Sequence, residues 1–178
     1  RRRGPTRPRA PRPHRRATDG VHAHGEPIEV PAALKKQPRN RGLEALCLVP
    51  AGHRLAGALL GIAETSPDDD DRPAPGWVLT GPERFGFHIV RSEDFNITDA
   101  LFLPSGELIV LERSYTPLRG VACRIRRIVA DAIAPDAMLD GEVLLQAGRG
   151  FEVDNMEGIA EHRDPACGQT VLTLVSDD

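Results

Sequence analysis

Six carboxylates in this 178-residue chain recur in an order that suits the capture of a hard cation. Glu44, Asp99 and Glu157 each open a segment, and Glu64, Glu112 and Asp177 each close one. The first segment runs Glu44-Ala45-Leu46, Pro50-Ala51-Gly52, then an apolar run from Leu55 to Ala63. The second runs Asp99-Ala100-Leu101, Pro104-Ser105-Gly106, then Leu108 to Leu111; the third runs Glu157-Gly158-Ile159, Pro165 to Gly168, then Val171 to Val175. The leading acids stand 55 and then 58 residues apart. Asn40, Asn96 and Asn155 precede them by two to four residues and add neutral amide oxygens. Carboxylates that converge repel one another unless they are protonated or share a cation. Oxygen-only donors favour calcium, whereas zinc wants His or Cys. Glu44, Asp99 and Glu157 are therefore the candidate catalytic groups, and with Asn155, Glu112 and Asp177 they form the candidate metal set. Strand-capping and loop hydrogen bonding use the same residue types, so that alternative stays open.

Other reactive side chains give weaker patterns. There is no G-x-S-x-G elbow, and Ser114 follows Arg113 at a strand end. Gly52-His53-Arg54 falls inside a hairpin turn and does not follow the R-H-G-x-R-x-P order of histidine acid phosphatases. His88 lies within the apolar run Phe87–Val90, and His22 and His24 lack a third ligand at metal-binding spacing. Cys47, Cys123 and Cys167 are odd in number and widely spaced, which fits neither a disulfide framework nor a zinc site. Asp68–Asp71 lack the alternate-residue spacing of a calcium loop.

The elements that must carry the acids are short strands. Each repeat reads as a β-hairpin, because its apolar run is brief and bounded by Pro and Gly. The spacing predicts strands at 45–49, 55–63, 99–103, 107–111, 158–162 and 170–175. Further strand-like runs lie between them at Trp77–Leu79, Phe87–Val90, Ile125–Val129 and Val143–Leu145. Asp131–Asp140 is ambiguous, although Pro135 argues against a long helix there. Four short strands per repeat make the expected fold all-β, a β-propeller with about three blades present and an incomplete ring, since propellers close with about 4–8 blades. In an antiparallel hairpin the opening and closing acids lie at one end, so successive blades bring all six toward one face.

Charge divides the chain in two. Residues 1–16 hold eight Arg and no acid. With those set aside, 15 Lys and Arg face 26 Asp and Glu, a net −11 over residues 17–178. Such a body is a poor nucleic-acid partner, and it repels an anionic small molecule unless a cation stands between them. No stretch reaches the roughly 18 apolar residues of a membrane helix, so no membrane insertion is expected. The Arg/Pro-rich residues 1–38 are expected to be a disordered tail ahead of a domain at 39–178. The opening arginines lack the apolar run of an export signal, so no signal peptide is read here.

The boxes themselves are familiar. Asn40-Arg41-Gly42-Leu43-Glu44-Ala45-Leu46 resembles the N-x-G-x-E-G-L box of the phytase-like family described as "esterase-like activity of phytase". Leu108-Ile109-Val110-Leu111-Glu112-Arg113-Ser114 resembles its L-x-V-L-E-R-S strand, and Asp154-Asn155-Met156-Glu157-Gly158-Ile159-Ala160 its D-N-x-E-G-I-A box. Val175-Ser176-Asp177-Asp178 resembles its V-S-D-D-N strand end. The resemblance covers roughly residues 38–178 and implies a partial phytase-like β-propeller, exported to the periplasm or secreted by a bacterium. Ala45 departs from the family's Gly, and the family's earlier blades have no counterpart here. The expected function is a metal-dependent hydrolase of phosphate or carboxylic esters, acting on a small-molecule substrate through a divalent cation, calcium by preference. The expectation from another class is a non-catalytic propeller that binds ligands or proteins and holds calcium structurally.

Overall fold

Gly52 and Gly106 take positive φ angles of 94° in the turns Pro50-Ala51-Gly52 and Pro104-Ser105-Gly106. That conformation carries little steric cost only for glycine, so both segments can turn there and the apolar runs on either side pair back as hairpins, directly in the second and after a further turn over 53–57 in the first. The computed structural model describes residues 27–37, 42–65 and 72–177. In chain order the strands are β1 (Leu43–Leu48), β2 (Leu59–Ala63), β3 (Ala74–Val78), β4 (Gly86–Ile89), β5 (Asn96–Phe102) and β6 (Leu108–Thr116). There follow β7 (Gly120–Ile128), β8 (Met138–Leu139), β9 (Glu142–Ala147), β10 (Met156–Arg163) and β11 (Thr170–Ser176). The described residues are all-β apart from two three-residue 3-10 turns, Leu34–Lys36 and Ala130–Ala132.

Three sheets result. The first has the order β1-β2-β3-β4-β8, the second β5-β6-β7-β9, and the third is the hairpin β10-β11. Every neighbouring pair is antiparallel except β4 and β8, which run parallel. The first strands pack in succession, β1 on β5 and β5 on β10. No closed ring forms among the described residues.

Packing on both sides of the second sheet explains why its sequence does not alternate. Leu108 and Val110, with Ile97 of their own sheet, cluster with Leu60, Ile62, Phe87 and Ile89 of the first sheet. Ile109 and Leu111 face the third sheet and meet Ile125 and Ile159. Each of these side chains contributes roughly 1.5–3 kcal/mol by leaving water, and a strand buried on both faces reads as an unbroken apolar run. The outer strand β9 is the contrast, with Val143, Leu144 and Leu145 all exposed.

Some expectations change. The strand expected over 55–63 begins only at Leu59, because the segment before it is a turn: Ala56 N–H donates to the His53 carbonyl and Gly57 N–H to that of Val49. The ambiguous segment 131–140 resolves into the second 3-10 turn and β8. Within the stretch assigned to the tail, Leu34 packs on the cluster of Ala63, Trp77 and Leu79. His22, His24, Asn40 and the Asp68–Asp71 run lie outside the described residues.

Candidate functional site

A β-bulge near the start of each first strand sets the positions of the acids. Pairing skips one residue between Leu43 and Ala45, between Ile97 and Asp99, and between Met156 and Gly158. The extra residues are therefore Glu44, Thr98 and Glu157. This corrects the repeat as aligned by residue type. Asp99 occupies the position of Ala45 and Gly158, one residue past the bulge, and Glu112 occupies that of Ala63 and Ser176. Glu64, Arg113 and Asp177 are the equivalent closing residues. A bulge adds a residue without changing the order of types, so residue type alone hid the one-place slip.

The acids lie at one end of their hairpins but have different partners. Glu44 is exposed and carries no hydrogen bond or ion pair among the described residues. Asp99 caps backbone: one carboxylate oxygen accepts from its neighbour Ala100 N–H at 2.8 Å, and the other from Ile159 N–H at 2.9 Å. The Thr98 hydroxyl donates to the Met156 carbonyl at 2.9 Å, so the bulge of β5 grips β10 twice. Glu157 meets Arg113 Nε at 3.3 Å, with both side chains about one-third exposed. The Asn96 amide donates to Glu64 at 3.4 Å and accepts from Arg91. Asp177 is exposed, and its N–H donates to the Asn155 carbonyl at 2.9 Å. Glu64 thus reaches from the first sheet to the second, and Arg113 from the second to the third.

Glu112 does something the repeat did not suggest. It is wholly buried and clamped by two arginines of β7. Arg124 Nε donates to its Oε2 at 2.7 Å; Arg126 donates from Nε at 2.9 Å and from Nη2 to Oε1 at 2.6 Å. The remaining donors are also used: Arg124 bonds the Ser92 hydroxyl at 2.9 Å and lies 4.2 Å over the Phe95 ring, while Arg126 reaches the Val90 carbonyl and Asp140. Two guanidinium charges face two carboxylates, so the set balances only with the exposed Asp140 counted. A sequence signal existed in Arg124-Ile125-Arg126, since residues two apart on a strand share a face.

Cys47 lies close enough to this end to feel it. Burial first, and the charge of Asp99 second, push its thiol up to about 12, so it stays protonated and inert at neutral pH.

The donor set meets the test for one shared ion only in part. Among the described residues no three His, Cys, Asp or Glu side chains gather as a metal cluster. Asp99, Glu112 and Glu157 are held by backbone N–H groups and arginines, so the positive charge that converging acids require is largely built into the chain. A cavity of about 510 Å³ between residues 29–32 and the β3–β4 hairpin is lined by none of the six acids. Ser114 lies mid-strand opposite Ala122, and His88 sits half-buried in β4. Replacing Asp99 by Ala strips Ile159 N–H of its acceptor. The expected loss is about 1–3 kcal/mol, with faster hydrogen exchange at the Ile159 amide than at Leu111; equal exchange rates would refute the grip.

Comparison with known proteins completes the description of the site. A family model described as "Phytase-like: Esterase-like activity of phytase" matches residues 9–178. No curated protein and no solved structure matches the chain.

Proposed function

We propose, because this chain belongs to the phytase-like family, that its sheets are successive blades of a β-propeller that hydrolyses phosphate or carboxylic esters. The observation that carries this reading is the family match over nearly the whole chain. The serial packing of β1, β5 and β10 supports the propeller part, because blades arranged around an axis contact one another through their first strands. The family resemblance also supports export to the periplasm or outside the cell, and a small-molecule ester as substrate. Neither nucleic acid nor membrane insertion belongs to the proposal; among the described residues no helix is long and apolar enough to cross a membrane.

Roles divide by availability. Glu44, with no partner, and Glu157, which shares only one ion pair, are the carboxylates free for acid–base work. Asp99 is a positioning residue that holds the strand bearing Glu157. Calcium as cofactor is a separate part of the proposal: Glu44, Asp177 and the Asn155 amide are the oxygens left to hold it, and its chemistry would be charge neutralisation of an anionic ester.

One observation favours the alternative of a non-catalytic binding propeller: Asp99, Glu112 and Glu157 all tie strands or sheets together. Turnover of a chromogenic phosphate monoester and a chromogenic acyl ester separates the two readings. The hydrolase reading expects turnover that chelation lowers at least tenfold and that Glu44→Gln and Glu157→Gln each lower about tenfold, with unchanged folding. Calcium-dependent stability without turnover on either ester would establish the binding module instead.

A further inference from the structure

The hairpin turns of the first two sheets lie at the opposite end from the acids. They repeat one another as Pro50-Ala51-Gly52-His53 and Pro104-Ser105-Gly106-Glu107. His53 and Glu107, the residues that follow the two glycines, line a single cavity of about 280 Å³, whose other wall includes Asp131.

His53 is the unusual group in this cavity. Its side chain is only 4% exposed, and its ring packs at a tilt 6.4 Å from that of Phe102. Nδ1 accepts from Leu55 N–H at 3.1 Å, so the lone pair on that nitrogen is in use. A neutral imidazole with an accepting Nδ1 carries its proton on Nε2. Nε2 is buried and has no hydrogen-bond partner among the described residues. Asp131 Oδ1 stands 3.7 Å away, beyond hydrogen-bond reach, so the Nε2 proton gains an acceptor only if the exposed Asp131 side chain shifts or an occupant of the cavity supplies one. Asp131 itself is 89% exposed. Glu107 accepts from the Ser105 hydroxyl at 2.8 Å and meets Arg127 at 3.2 Å, which leaves it further acceptor capacity.

We infer that this cavity is a binding site for adjacent hydroxyl groups of a polyol or sugar. The occupant must accept from a fixed N–H and donate to carboxylates, and a hydroxyl does both with one atom. A phosphate would satisfy His53 but be repelled by Asp131 and Glu107. An ammonium would satisfy the carboxylates but leave the imidazole N–H unpaired, and an apolar group would satisfy neither. The site binds and does not catalyse: Ser105 already donates to Glu107, and His53 has no free lone pair with which to take a proton. The inference stands apart from the ester-hydrolase reading, whose acids lie at the other end of the hairpins.

The test is an NMR titration of the isotope-labelled full chain with glycerol, a linear hexitol and a hexose, alongside inorganic phosphate and methylammonium. Saturable shifts are expected at Gly52, His53 and Gly106 and at the His53 ring nitrogens, with Kd on the order of millimolar for the hexitol. Asp131→Asn, on an exposed side chain that should not disturb folding, should weaken binding about fivefold, and His53→Phe should abolish it. The proposal is overturned by the absence of local shifts with every polyol, which would leave the cavity to water. Tighter binding of phosphate or methylammonium than of the hexitol would overturn it too, as would an Asp131→Asn chain that binds the hexitol as tightly as the parent.

Discussion

Replacing Glu112 by Gln is expected to destabilise this protein by about 3–5 kcal/mol, the range found when one partner of a buried ion pair is removed. The reason is what remains behind. Arg124 and Arg126 are buried to within a few per cent and each commits its guanidinium to Glu112. An amide supplies one acceptor oxygen and no charge, while Asp140, the other carboxylate, is mostly in solvent. The uncompensated positive charge, and not the lost contacts, is what costs so much. The triple change Glu112→Leu, Arg124→Met and Arg126→Leu should therefore recover most of the loss, because well-packed apolar replacements of buried ion groups are often near neutral. Urea unfolding midpoints at constant slope measure both variants. Added salt should leave the effect of Glu112→Gln almost unchanged, as buried charges are poorly screened. A single variant within 1 kcal/mol of the parent, or a triple variant worse than the single one, would show that contact geometry and not charge holds this junction.

The second large effect is steric. Gly76 of β3 pairs directly with Phe87 of β4, and a Cβ added at Gly76 would stand 2.4 Å from two atoms of the Phe87 ring. The ring is fully buried among Leu60, Ile62 and Ile89 and cannot swing aside. Gly76→Ala should thus cost about 1–3 kcal/mol as an overpacking change, lowering the thermal midpoint by roughly 2–4 °C for each kcal/mol. Shrinking the ring should relieve the clash. In the double variant Gly76→Ala with Phe87→Leu the loss should fall below the sum of the single losses by roughly 0.5–3 kcal/mol. Additive losses would mean that the ring is not what excludes a side chain at position 76.

The hairpins were legible in the sequence because their determinants are local. Pro50 with Gly52 and Pro104 with Gly106 mark the turns, and the short run Leu108-Ile109-Val110-Leu111 between Gly106 and Glu112 reads as a strand. The details of the acid-bearing end were not. Bulges at Glu44, Thr98 and Glu157 arise from how two strands twist past one another, and no residue type announces them. The partners of Glu112 come from a different strand, β7, and the segment after β4 holds their remaining donors, so seeing the acid without its arginines suggested a metal. Leu55 falls within an expected strand through its place in the repeat, but it is buried through a turn. His53 was read as turn chemistry, which its Nδ1 bears out; the stranded Nε2 shows only once residues 129–131 are folded over it.

The two-residue strand β8 has an effect out of proportion to its length. After β7 has completed most of the second sheet, the chain crosses back and lays Met138–Leu139 alongside β4 of the first, with His88 N–H and Val90 N–H bonded at 2.8 Å to the carbonyls of Ala137 and Leu139. The first sheet is therefore not finished until the second has been made. The two should behave as one cooperative folding unit, and their assembly carries the rate penalty of contacts made between residues far apart along the chain. Among the described residues the hairpin β10–β11 receives no such crossing strand; it is joined to the second sheet through side chains, which places its opening at lower free energy. The hierarchy of opening within the molecule thus follows the path of the chain more closely than the boundaries of its sheets.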